Sequence, residues 1–449
     1  MNIIDPYATA PARVAVIGTG ISGLSAAWLL HQSCDVTVYE ADDRIGGHSN
    51  TVDAPGPAGP VAVDTGFIVY NPSNYPNLVA LFAHLGVPTK PSDMSFGASI
   101  DDGALEYGSA ALFAQKRNVL RPRFWRMLRD IVRFYREAPA FLRSCGADAL
   151  TLGQYIDDRA YSHNFVHDHL LPMGAAIWST PAADMRNYPA AAFLNFCKNH
   201  RLLELRGRPE WRTVTGGSRE YVRRLTAPFV DRIRLGARVR DIRRDGRGVT
   251  VATSGDGYER YDHVVIAAHA DQALAMLGDA DGRERAVLGS FPYTTNVAVL
   301  HRDATLMPRR RGAWSSWNYM SGRGADGTAK VSVTYWMNRL QSLDPENPLF
   351  VTLNPYRQPD SDKTIKSFTY EHPAFDHRAL QAQRQLGDIQ GVRRTWFCGS
   401  YCGYGFHEDG LQAGLAVAER ISGVPRPWLV PGESDRIHFL GSADARVAA

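Results

Sequence analysis

Three glycines near the start of the chain have a spacing that can bind phosphate. Gly18, Gly20 and Gly23 lie in the pattern G-x-G-x-x-G. In this pattern the first glycine permits a tight turn, the second lets the backbone approach a pyrophosphate, and the third lets a helix pack closely on a strand. The phosphates then lie on free N–H groups at the helix N-terminus, where the helix dipole favours an anion. The spacing predicts a dinucleotide site.

The segments around these glycines have the composition that such a site needs. Residues 14–17 are a short apolar run, typical of a buried parallel strand, and Ile21, Leu24 and Trp28 then repeat at helical spacing. The uncharged stretch 14–30 also raises the alternative of a membrane span. That stretch is about the minimum length for a span and the glycines interrupt it near its start, so we favour strand, turn and helix.

Two further motifs follow. Residues 36–39 predict a second strand, and Glu40 comes directly after it, close to the position where an acid binds ribose hydroxyls. A carboxylate there repels a 2′-phosphate, so NADP is disfavoured. Arg44 then begins an R-x-G-G sequence with Gly46 and Gly47. R-x-G-G alone is compatible with a plain turn, but its combination with the upstream motifs favours a second phosphate-binding turn.

The series G-x-G-x-x-G, Glu, R-x-G-G resembles the FAD-binding signature of the flavin-containing amine oxidase superfamily. That group includes monoamine oxidases, protoporphyrinogen oxidase and phytoene desaturases. The resemblance implies FAD as the cofactor, because dehydrogenases that bind only NAD lack the R-x-G-G extension. It also implies which residues contact FAD: Gly18, Gly20, Ser22, Gly23, Glu40, Arg44, Gly46, Gly47, Val239, Gly399 and Leu411.

The fold that the resemblance implies is α/β, with a Rossmann-like FAD-binding domain assembled from three chain segments. Two insertions between these segments predict a mixed α+β substrate domain. The predicted bounds are 1–90, 205–285 and 390–430 for the FAD-binding domain, and 91–204 and 286–389 for the substrate domain.

Positions in the second and third segments match the family's cofactor contacts. Val239 matches the residue whose backbone meets adenine, and Gly399 ends a predicted strand. Residues 405–414 open a helix whose N-terminus points at the flavin in this family, where its dipole stabilises the negative charge of the reduced ring. Ser400 departs from the pattern, because relatives usually carry an acid there.

The substrate face also departs from the family's amine oxidases. Those enzymes usually place a lysine near flavin N5 and two aromatic side chains around the substrate nitrogen. The matching strand here, residues 291–299, contains Thr294, Thr295 and Asn296 and no lysine, and Phe406 stands where amine oxidases commonly have tyrosine. Both departures favour dehydrogenation of a lipid-like molecule over amine oxidation.

Several ionisable residues are candidates for the chemistry. His407, Glu408 and Asp409 lie together at the predicted helix N-terminus. For the two acids we favour helix capping, and His407 is the candidate catalytic acid or base. Glu371 and His372 lie where relatives line the substrate cavity. The 14 histidines show no metal-ligand spacing, so no metal site is predicted.

Residues 112–143 are strongly basic, with nine Lys or Arg and two acidic residues. Phe124, Leu128, Ile131 and Tyr135 fall on one face of a predicted helix. A cationic amphipathic helix can lie in the headgroup layer of an anionic membrane. The alternative is a surface helix whose apolar stripe faces the core. Peripheral membrane contact would suit a lipophilic substrate such as an acyl chain or a polyene.

Length, net charge and cysteine count limit the number of domains, the class of partner and the compartment. A chain of 449 residues indicates two or three domains, and a net charge of +4 is too small to indicate a nucleic-acid partner. Five scattered cysteines are typical of free thiols in a reducing compartment. No signal peptide is visible, so we expect a cytoplasmic protein with possible membrane association. The totals leave the oligomeric state open.

The sequence therefore predicts an FAD-dependent oxidoreductase that passes hydride to flavin N5 from a lipophilic (acyl-lipid or polyene-like) or amine substrate. One alternative is a flavoenzyme without net redox chemistry, such as the galactopyranose mutases. Another is a flavin-free binding protein on the same fold, such as the Rab escort and GDI proteins. Glu40, Arg44 and the helix at 405–414 argue against a flavin-free protein.

Overall fold

The computed structural model describes residues 10–143, 150–178, 184–204, 209–255, 257–323 and 328–439. The strands in chain order are β1 (Arg13–Ile17), β2 (Asp35–Tyr39), β3 (Thr51–Ala54), β4 (Val61–Asp64), β5 (Thr89–Ser92), β6 (Phe96–Ile100), β7 (Leu105–Gly108), β8 (Trp211–Val214), β9 (Ile233–Arg234), β10 (Val239–Asp245), β11 (Gly248–Thr253), β12 (Tyr258–Tyr261), β13 (His263–Ile266), β14 (Tyr293–His301), β15 (Trp317–Arg323), β16 (Ala329–Trp336), β17 (Phe350–Leu353), β18 (Thr364–Pro373) and β19 (Thr395–Phe397). The helices are α1 (Ile21–Leu30), α2 (Pro76–His84), α3 (Pro122–Phe141), α4 (Leu152–Asp158), α5 (His163–Phe165), α6 (Leu171–Trp178), α7 (Ala190–Asn199), α8 (Arg219–Thr226), α9 (Ala270–Met276), α10 (Gly282–Leu288), α11 (Met337–Leu340), α12 (His377–Gln383) and α13 (His407–Ser422).

The strand before the glycine turn is the central strand of a five-stranded parallel sheet. The strand order is β19-β13-β1-β2-β9, and β1 is paired along its length with β13 on one side and β2 on the other. Val14, Ala15 and Val16 are fully buried, as expected for a parallel strand covered on both faces. Because parallel strands end at the same edge, the glycine turn after β1 and Glu40 after β2 lie side by side.

Helix α1 is buried over all ten of its residues and packs against α13. Residues 14–30 are therefore strand, turn and helix within this sheet layer. None of the helices in the described ranges is long and apolar enough to cross a membrane.

A second, mixed sheet has seven strands in the order β18-β14-β17-β16-β15-β6-β7. The β15–β6 pair is parallel and the other pairs are antiparallel. Helix α6 contacts β15, and the π-helical segment Val166–Leu170 contacts β6. Smaller sheets pair β3 with β4, β5 with β8, and β11 with both β10 and β12. The chain is therefore α/β as predicted, and the domain bounds given above stay a prediction.

Helix α3 lies within the basic segment 112–143, but it buries a different face from the predicted one. Its buried residues are Phe124, Met127, Asp130, Phe134, Ala138 and Phe141. Leu128, Ile131 and Tyr135 are only partly buried against the same core. The predicted face was wrong by about one position because Asp130 is buried: its Oδ2 accepts the Ser162 N–H at 2.9 Å. The apolar stripe of α3 thus faces the protein core.

Candidate active site

The glycine turn between β1 and α1 is constrained at two positions and open at the third. Gly18 has φ +102°, and a Cβ there would lie 2.7 Å from the Ala267 carbonyl oxygen. A Cβ on Gly23 would lie 2.0 Å from the Gly18 carbonyl oxygen, whereas a Cβ on Gly20 would meet nothing within 4 Å. No side chain caps the N-terminus of α1 at Gly20. The turn is therefore tight where the backbone packs and open where a phosphate would approach the helix dipole.

Glu40 is held at the edge of this turn. Its Oε2 accepts the Thr19 N–H at 2.9 Å and also contacts the Thr19 hydroxyl, and its Oε1 accepts the Asp42 N–H at 3.0 Å. The Ala237 N–H donates to the Glu40 carbonyl oxygen at 2.8 Å, which brings buried Val239 into the same region. The structure therefore brings Glu40 and Val239 together, as adjacent ribose and adenine contacts require.

Thr19 was not identified from the sequence, although it links the two phosphate-binding motifs. Besides its contacts with Glu40, its Oγ1 accepts the Gly46 N–H at 3.2 Å. The available signal was a hydroxyl residue between Gly18 and Gly20. A hydroxyl there can bind Glu40 and the R-x-G-G turn at once.

Arg44 presents an unpaired nitrogen to this region. Its Nη2 donates to the Gly47 carbonyl oxygen at 2.7 Å, while its Nη1 is buried and has no hydrogen-bond partner. Gly46 and Gly47 both have positive φ, and a Cβ on Gly47 would lie 3.0 Å from the Gly20 Cα. The two turns are thus in contact. A buried guanidinium N–H without an acceptor beside an open helix N-terminus fits a bound pyrophosphate.

The N-terminal turns of α1 and α13 meet at Ser22. A Cβ on Gly410 would lie 2.9 Å from the Ser22 Oγ, and a Cβ on Gly414 would lie 2.1 Å from the Ser22 carbonyl oxygen. Leu411 is fully buried at this crossing, and the Ser400 nitrogen, next to Gly399, lies 3.7 Å from the Cβ position of Gly410. The first and last predicted cofactor segments are therefore in direct contact.

His407, the first residue of α13, lies in an aromatic and hydroxyl environment. Its ring stacks on Phe67 with centroids 3.9 Å apart. Its Nε2 lies 2.7 Å from the Tyr221 hydroxyl and 3.2 Å from the Ser49 hydroxyl. Burial lowers the pKa of His407 to about 3. The imidazole is therefore neutral at ordinary pH, and its catalytic role stays a prediction.

Glu408 and Asp409 act as caps, the reading favoured from the sequence. Glu408 is fully buried, and its carboxylate accepts the N–H groups of Asn77 and Leu78, each at 3.0 Å, at the start of α2. Asp409 Oδ2 accepts the Phe406 N–H at 2.7 Å, at the start of its own helix. Burial raises the pKa of Asp409 to about 6, although the positive charge of Arg436 opposes the shift. Both carboxylates are thus committed to backbone N–H groups.

Three neutral histidines, His48, His269 and His372, form a cluster beside β14 and β18. Only His372 was a candidate from the sequence. The His48 ring centroid lies 5.1 Å from that of His372. His269 stacks on Tyr293 at 4.4 Å, and its Nδ1 lies 3.4 Å from Glu371. Burial and then the charge of His269 lower the pKa of His372 to about 4, and burial also lowers the pKa of His48 and of His269. His372 lies on β18 and is paired with Thr294 of β14, whereas His48 follows the R-x-G-G turn and His269 precedes α9. Spacing along the chain does not reveal that these three residues meet.

Strand β14, which contains no lysine, is neutral and polar where it meets the histidine cluster. Asn296 on β14 is buried, with its Nδ2 3.0 Å from the His372 Nδ1, and its Oδ1 accepts from the Asn354 Nδ2 at 2.7 Å. Phe406 stacks on Phe196 at 5.1 Å. Further rings continue from Phe196 into the helical layer: Trp178, Tyr188, Phe193, His200 and Trp211.

The structure gives no metal-binding group and no disulfide in the ranges that it describes. No cluster of three or more histidine, cysteine, aspartate or glutamate side chains there is arranged to hold a metal ion. Cys34, Cys197, Cys398 and Cys402 are buried free thiols. Cys145 lies outside the described residues.

Comparison with known proteins identifies relatives over nearly the whole length. Residues 21–422 match the family model described as flavin containing amine oxidoreductase. A Mycobacterium tuberculosis protein named as the flavin-containing monoamine oxidase AofH is 26% identical over 396 residues, covering 83% of this chain and 77% of the relative.

Solved structures show the same fold. Cyclohexylamine oxidase from Brevibacterium oxydans IH-35A has a TM-score of 0.64 at 18% identity, covering 92% of this chain and 99% of that chain. The CLA-producing fatty acid isomerase from P. acnes has a TM-score of 0.63 at 16% identity, covering 92% of this chain and 98% of that chain. Because the family model spans residues 21–422, the chain belongs to the flavin containing amine oxidoreductase family and is an FAD-dependent oxidoreductase.

Proposed function

We propose that this oxidoreductase dehydrogenates a lipophilic substrate, of the acyl-lipid or polyene class, by hydride transfer to FAD. When bound, FAD accepts at N5 the hydrogen and electron pair of the broken C–H bond, the neighbouring carbon loses a proton, and a C=C bond forms. The residues proposed to hold FAD are Gly18, Gly20, Ser22, Gly23, Glu40, Arg44, Gly46, Gly47, Val239, Gly399 and Leu411.

The chain's own groups divide the work of binding the cofactor. The open N-terminus of α1 and the unpaired Arg44 Nη1 supply donors for the pyrophosphate. Glu40, fixed by the Thr19 and Asp42 N–H groups, would accept from ribose hydroxyls. The N-terminus of α13 lies beside α1, and its dipole would stabilise negative charge on the flavin, as the resemblance implies.

The observation that carries the substrate proposal is that the histidine cluster beside β14 is uncharged. The histidines there are neutral, Asn296 is buried behind them with its Nδ2 3.0 Å from the His372 Nδ1, and Phe406 stacks on Phe196 in a cluster of aromatic rings. An apolar chain packs against such a surface without leaving a buried charge unpaired. β14 contains no lysine, the residue that amine oxidation in this family usually uses near flavin N5.

His407 is the proposed acid–base residue. Because burial lowers its pKa to about 3, the His407 cation is disfavoured. We therefore expect the ring to accept the substrate's proton only transiently and to pass it on through its hydrogen bond with the Tyr221 hydroxyl.

Amine oxidation is the second candidate, and the relatives' names favour it. AofH is named as a monoamine oxidase and the Brevibacterium enzyme as a cyclohexylamine oxidase. An aromatic face such as that of Phe406 also attracts a cationic amine. Catalysis without net redox chemistry is the further alternative, and the P. acnes protein is named as a fatty acid isomerase.

An anaerobic reduction experiment separates these candidates. The purified holoenzyme is mixed with unsaturated acyl lipids, with polyenes, with amines and with NAD(P)H, and the loss of visible flavin absorbance is followed. We expect acyl lipids or polyenes to bleach the flavin and amines not to do so. Bleaching by amines alone would replace the proposal with amine oxidation. Lipid conversion that requires pre-reduced flavin, with no net bleaching, would indicate an isomerase.

We extend the proposal to a membrane surface as the place where the enzyme takes up its substrate. A lipophilic substrate is available at a membrane surface, and contact between residues 112–143 and such a surface would bring the enzyme to it. The core-facing stripe of α3 cannot make this contact, because the protein itself covers it.

A further inference from the structure

A short surface segment before α3 exposes a group of large apolar side chains. The exposed members are Leu112, Phe113, Val119, Leu120 and Trp125, which we call the apolar turn. Leu120 is 85% exposed. A single exposed leucine needs no explanation, but several large apolar side chains close together indicate an interaction surface.

The apolar turn is one connected surface. The ring centroids of Phe113 and Trp125 lie 5.8 Å apart. The Trp125 Nε1 donates to the Val119 carbonyl oxygen at 2.8 Å, so the indole covers the backbone next to Leu120. The side chains therefore project from a common patch and not from separate sites.

Buried polar residues hold this patch in place. Within the turn, Gln115 and Asn118 are buried while their apolar neighbours face solvent. The Gln115 Oε1 accepts the Glu106 N–H at 3.1 Å, and the Asn118 Nδ2 donates to the Glu106 carbonyl oxygen at 2.9 Å. The usual pattern of apolar inside and polar outside is reversed here. The turn is thus fixed in a conformation that displays its apolar side chains.

The surroundings of the apolar turn are positively charged. Residues 112–129 contain six Lys or Arg and no Asp or Glu. Lys116, Arg117 and Arg126 are exposed. Carboxylates from other elements neutralise two further arginines of this region, since Arg123 pairs with Asp168 and Arg310 pairs with Glu106. The positive charge that remains beside the apolar turn is complementary to a surface that is anionic outside and apolar beneath.

We propose that the apolar turn docks on the surface of an anionic phospholipid bilayer. Its apolar side chains, with Leu120 at the tip, enter the headgroup region, and the surrounding Lys and Arg side chains contact lipid phosphates. This inference rests on the proposed function only in that a lipid-like substrate gives the docking a purpose. The apolar turn, and not the core-facing stripe of α3, is then the part of residues 112–143 that contacts the membrane.

The test compares two matched variants of the full-length holoenzyme. Leu120→Asp places a charge at the tip, and Leu429→Asp places the same charge at a leucine that is 92% exposed elsewhere. Binding is measured by co-sedimentation with vesicles of pure phosphatidylcholine and of phosphatidylcholine mixed with phosphatidylglycerol, at low and high salt. Visible spectra and thermal unfolding confirm that both variants stay folded and hold FAD.

We expect wild type and Leu429→Asp to bind the anionic vesicles alike, and Leu120→Asp to bind them at least roughly tenfold more weakly. High salt should weaken the binding of wild type. Equal binding to neutral and anionic vesicles, no binding by wild type, or equal weakening in both variants would overturn the proposal. Self-association of wild type through this patch, lost in Leu120→Asp without vesicle binding, would assign the patch to a second copy of the chain instead.

The outcome is separable from that of the proposed reaction. Flavin reduction by detergent-dispersed lipid should be the same in Leu120→Asp and in wild type. Docking without bleaching by any lipid would leave the surface assignment and remove the proposed substrate. Bleaching by lipid without docking would keep the proposed substrate and remove the surface assignment.

Discussion

At the scale of single residues, the predicted cofactor site contains polar groups that the protein does not satisfy by itself. The clearest is Arg44, whose Nη1 is buried without a partner while its Nη2 holds the Gly47 carbonyl oxygen. A buried unpaired guanidinium nitrogen is destabilising unless a ligand supplies the acceptor. FAD binding should therefore depend strongly on this one side chain.

Replacing Arg44 by alanine should weaken FAD binding roughly ten- to a hundredfold, the range expected for hydrogen bonds to a charged group. The measurement is the ratio of flavin absorbance to protein absorbance after dialysis against graded FAD. Arg232→Ala is the control, because Arg232 is a surface residue paired with Asp35 on the same sheet. Normal flavin content in Arg44→Ala would remove Arg44 from the pyrophosphate site.

His407 should affect the rate of flavin reduction and not the amount of bound flavin. We expect His407→Ala to slow anaerobic reduction roughly a hundredfold, within the range for acid–base groups. Tyr221→Phe, which removes the hydroxyl 2.7 Å from Nε2, should slow it in the same direction. Stopped-flow absorbance measures both rates. An unchanged rate in His407→Ala would leave the ring as a packing partner of Phe67.

Where a residue acts through local backbone geometry, its role could be predicted from the sequence. Gly18 and Gly23 are tight because of turn geometry, which the spacing encodes directly. The contacts of His372 and Thr19 were not predictable in the same way. His372 was a candidate only through the family resemblance, and a hydroxyl between Gly18 and Gly20 does not by itself indicate which turn it contacts. Strand pairing and the meeting of two turns produce these contacts.

At the scale of elements, the start of α13 connects the predicted flavin site to a neighbouring helix. Glu408 caps α2 through the N–H groups of Asn77 and Leu78, so one short segment orients both helices. The residue types at 408 and 409 predict capping, but nothing in the sequence indicates that α2 is the helix that is capped. The face of α3 was wrong for a similar reason, because the burial of Asp130 depends on a partner 32 residues away.

Glu408→Gln should lower the free energy of unfolding by about 1 to 3 kcal/mol, because a neutral amide leaves one buried N–H of α2 without an acceptor. Thermal unfolding followed by circular dichroism measures the loss. Glu346→Gln is the control, since Glu346 is exposed. A variant as stable as wild type would show that α2 is held mainly by its apolar contacts.

At the scale of the whole molecule, buried neutral histidines give the stability a pH dependence. His301 is fully buried: its Nδ1 accepts the Asp303 N–H at 3.0 Å and its Nε2 lies 2.7 Å from the Thr352 hydroxyl. Burial lowers the pKa of His301 to about 4, from 6.5 in the unfolded chain. Unfolding below pH 6.5 therefore takes up a proton, and stability falls as the pH decreases from 6.5 to 4.

The contribution of His301 over this pH range is about 3 kcal/mol. His301→Gln should be less stable than wild type at neutral pH but should lose less stability between pH 6.5 and 4, as measured by urea unfolding. Asp64 and Asp409, whose pKa burial raises to about 6, act in the opposite direction. Comparing the two proteins at each pH cancels their contribution. Parallel curves for both proteins would contradict the assignment.

The order of strands in the parallel sheet has a consequence for biosynthesis. The central strand β1 is made first, but β13 and β19, which complete one side of the sheet, follow about 250 and 380 residues later. At roughly 5 to 20 residues per second, a ribosome needs roughly 20 to 80 s to make the chain between β1 and β19. During that time the nascent β1 lacks its partner β13 and α1 lacks its partner α13, so both expose apolar surface. We therefore expect chaperones to hold the emerging chain, and FAD to be loaded only after α13 has been made.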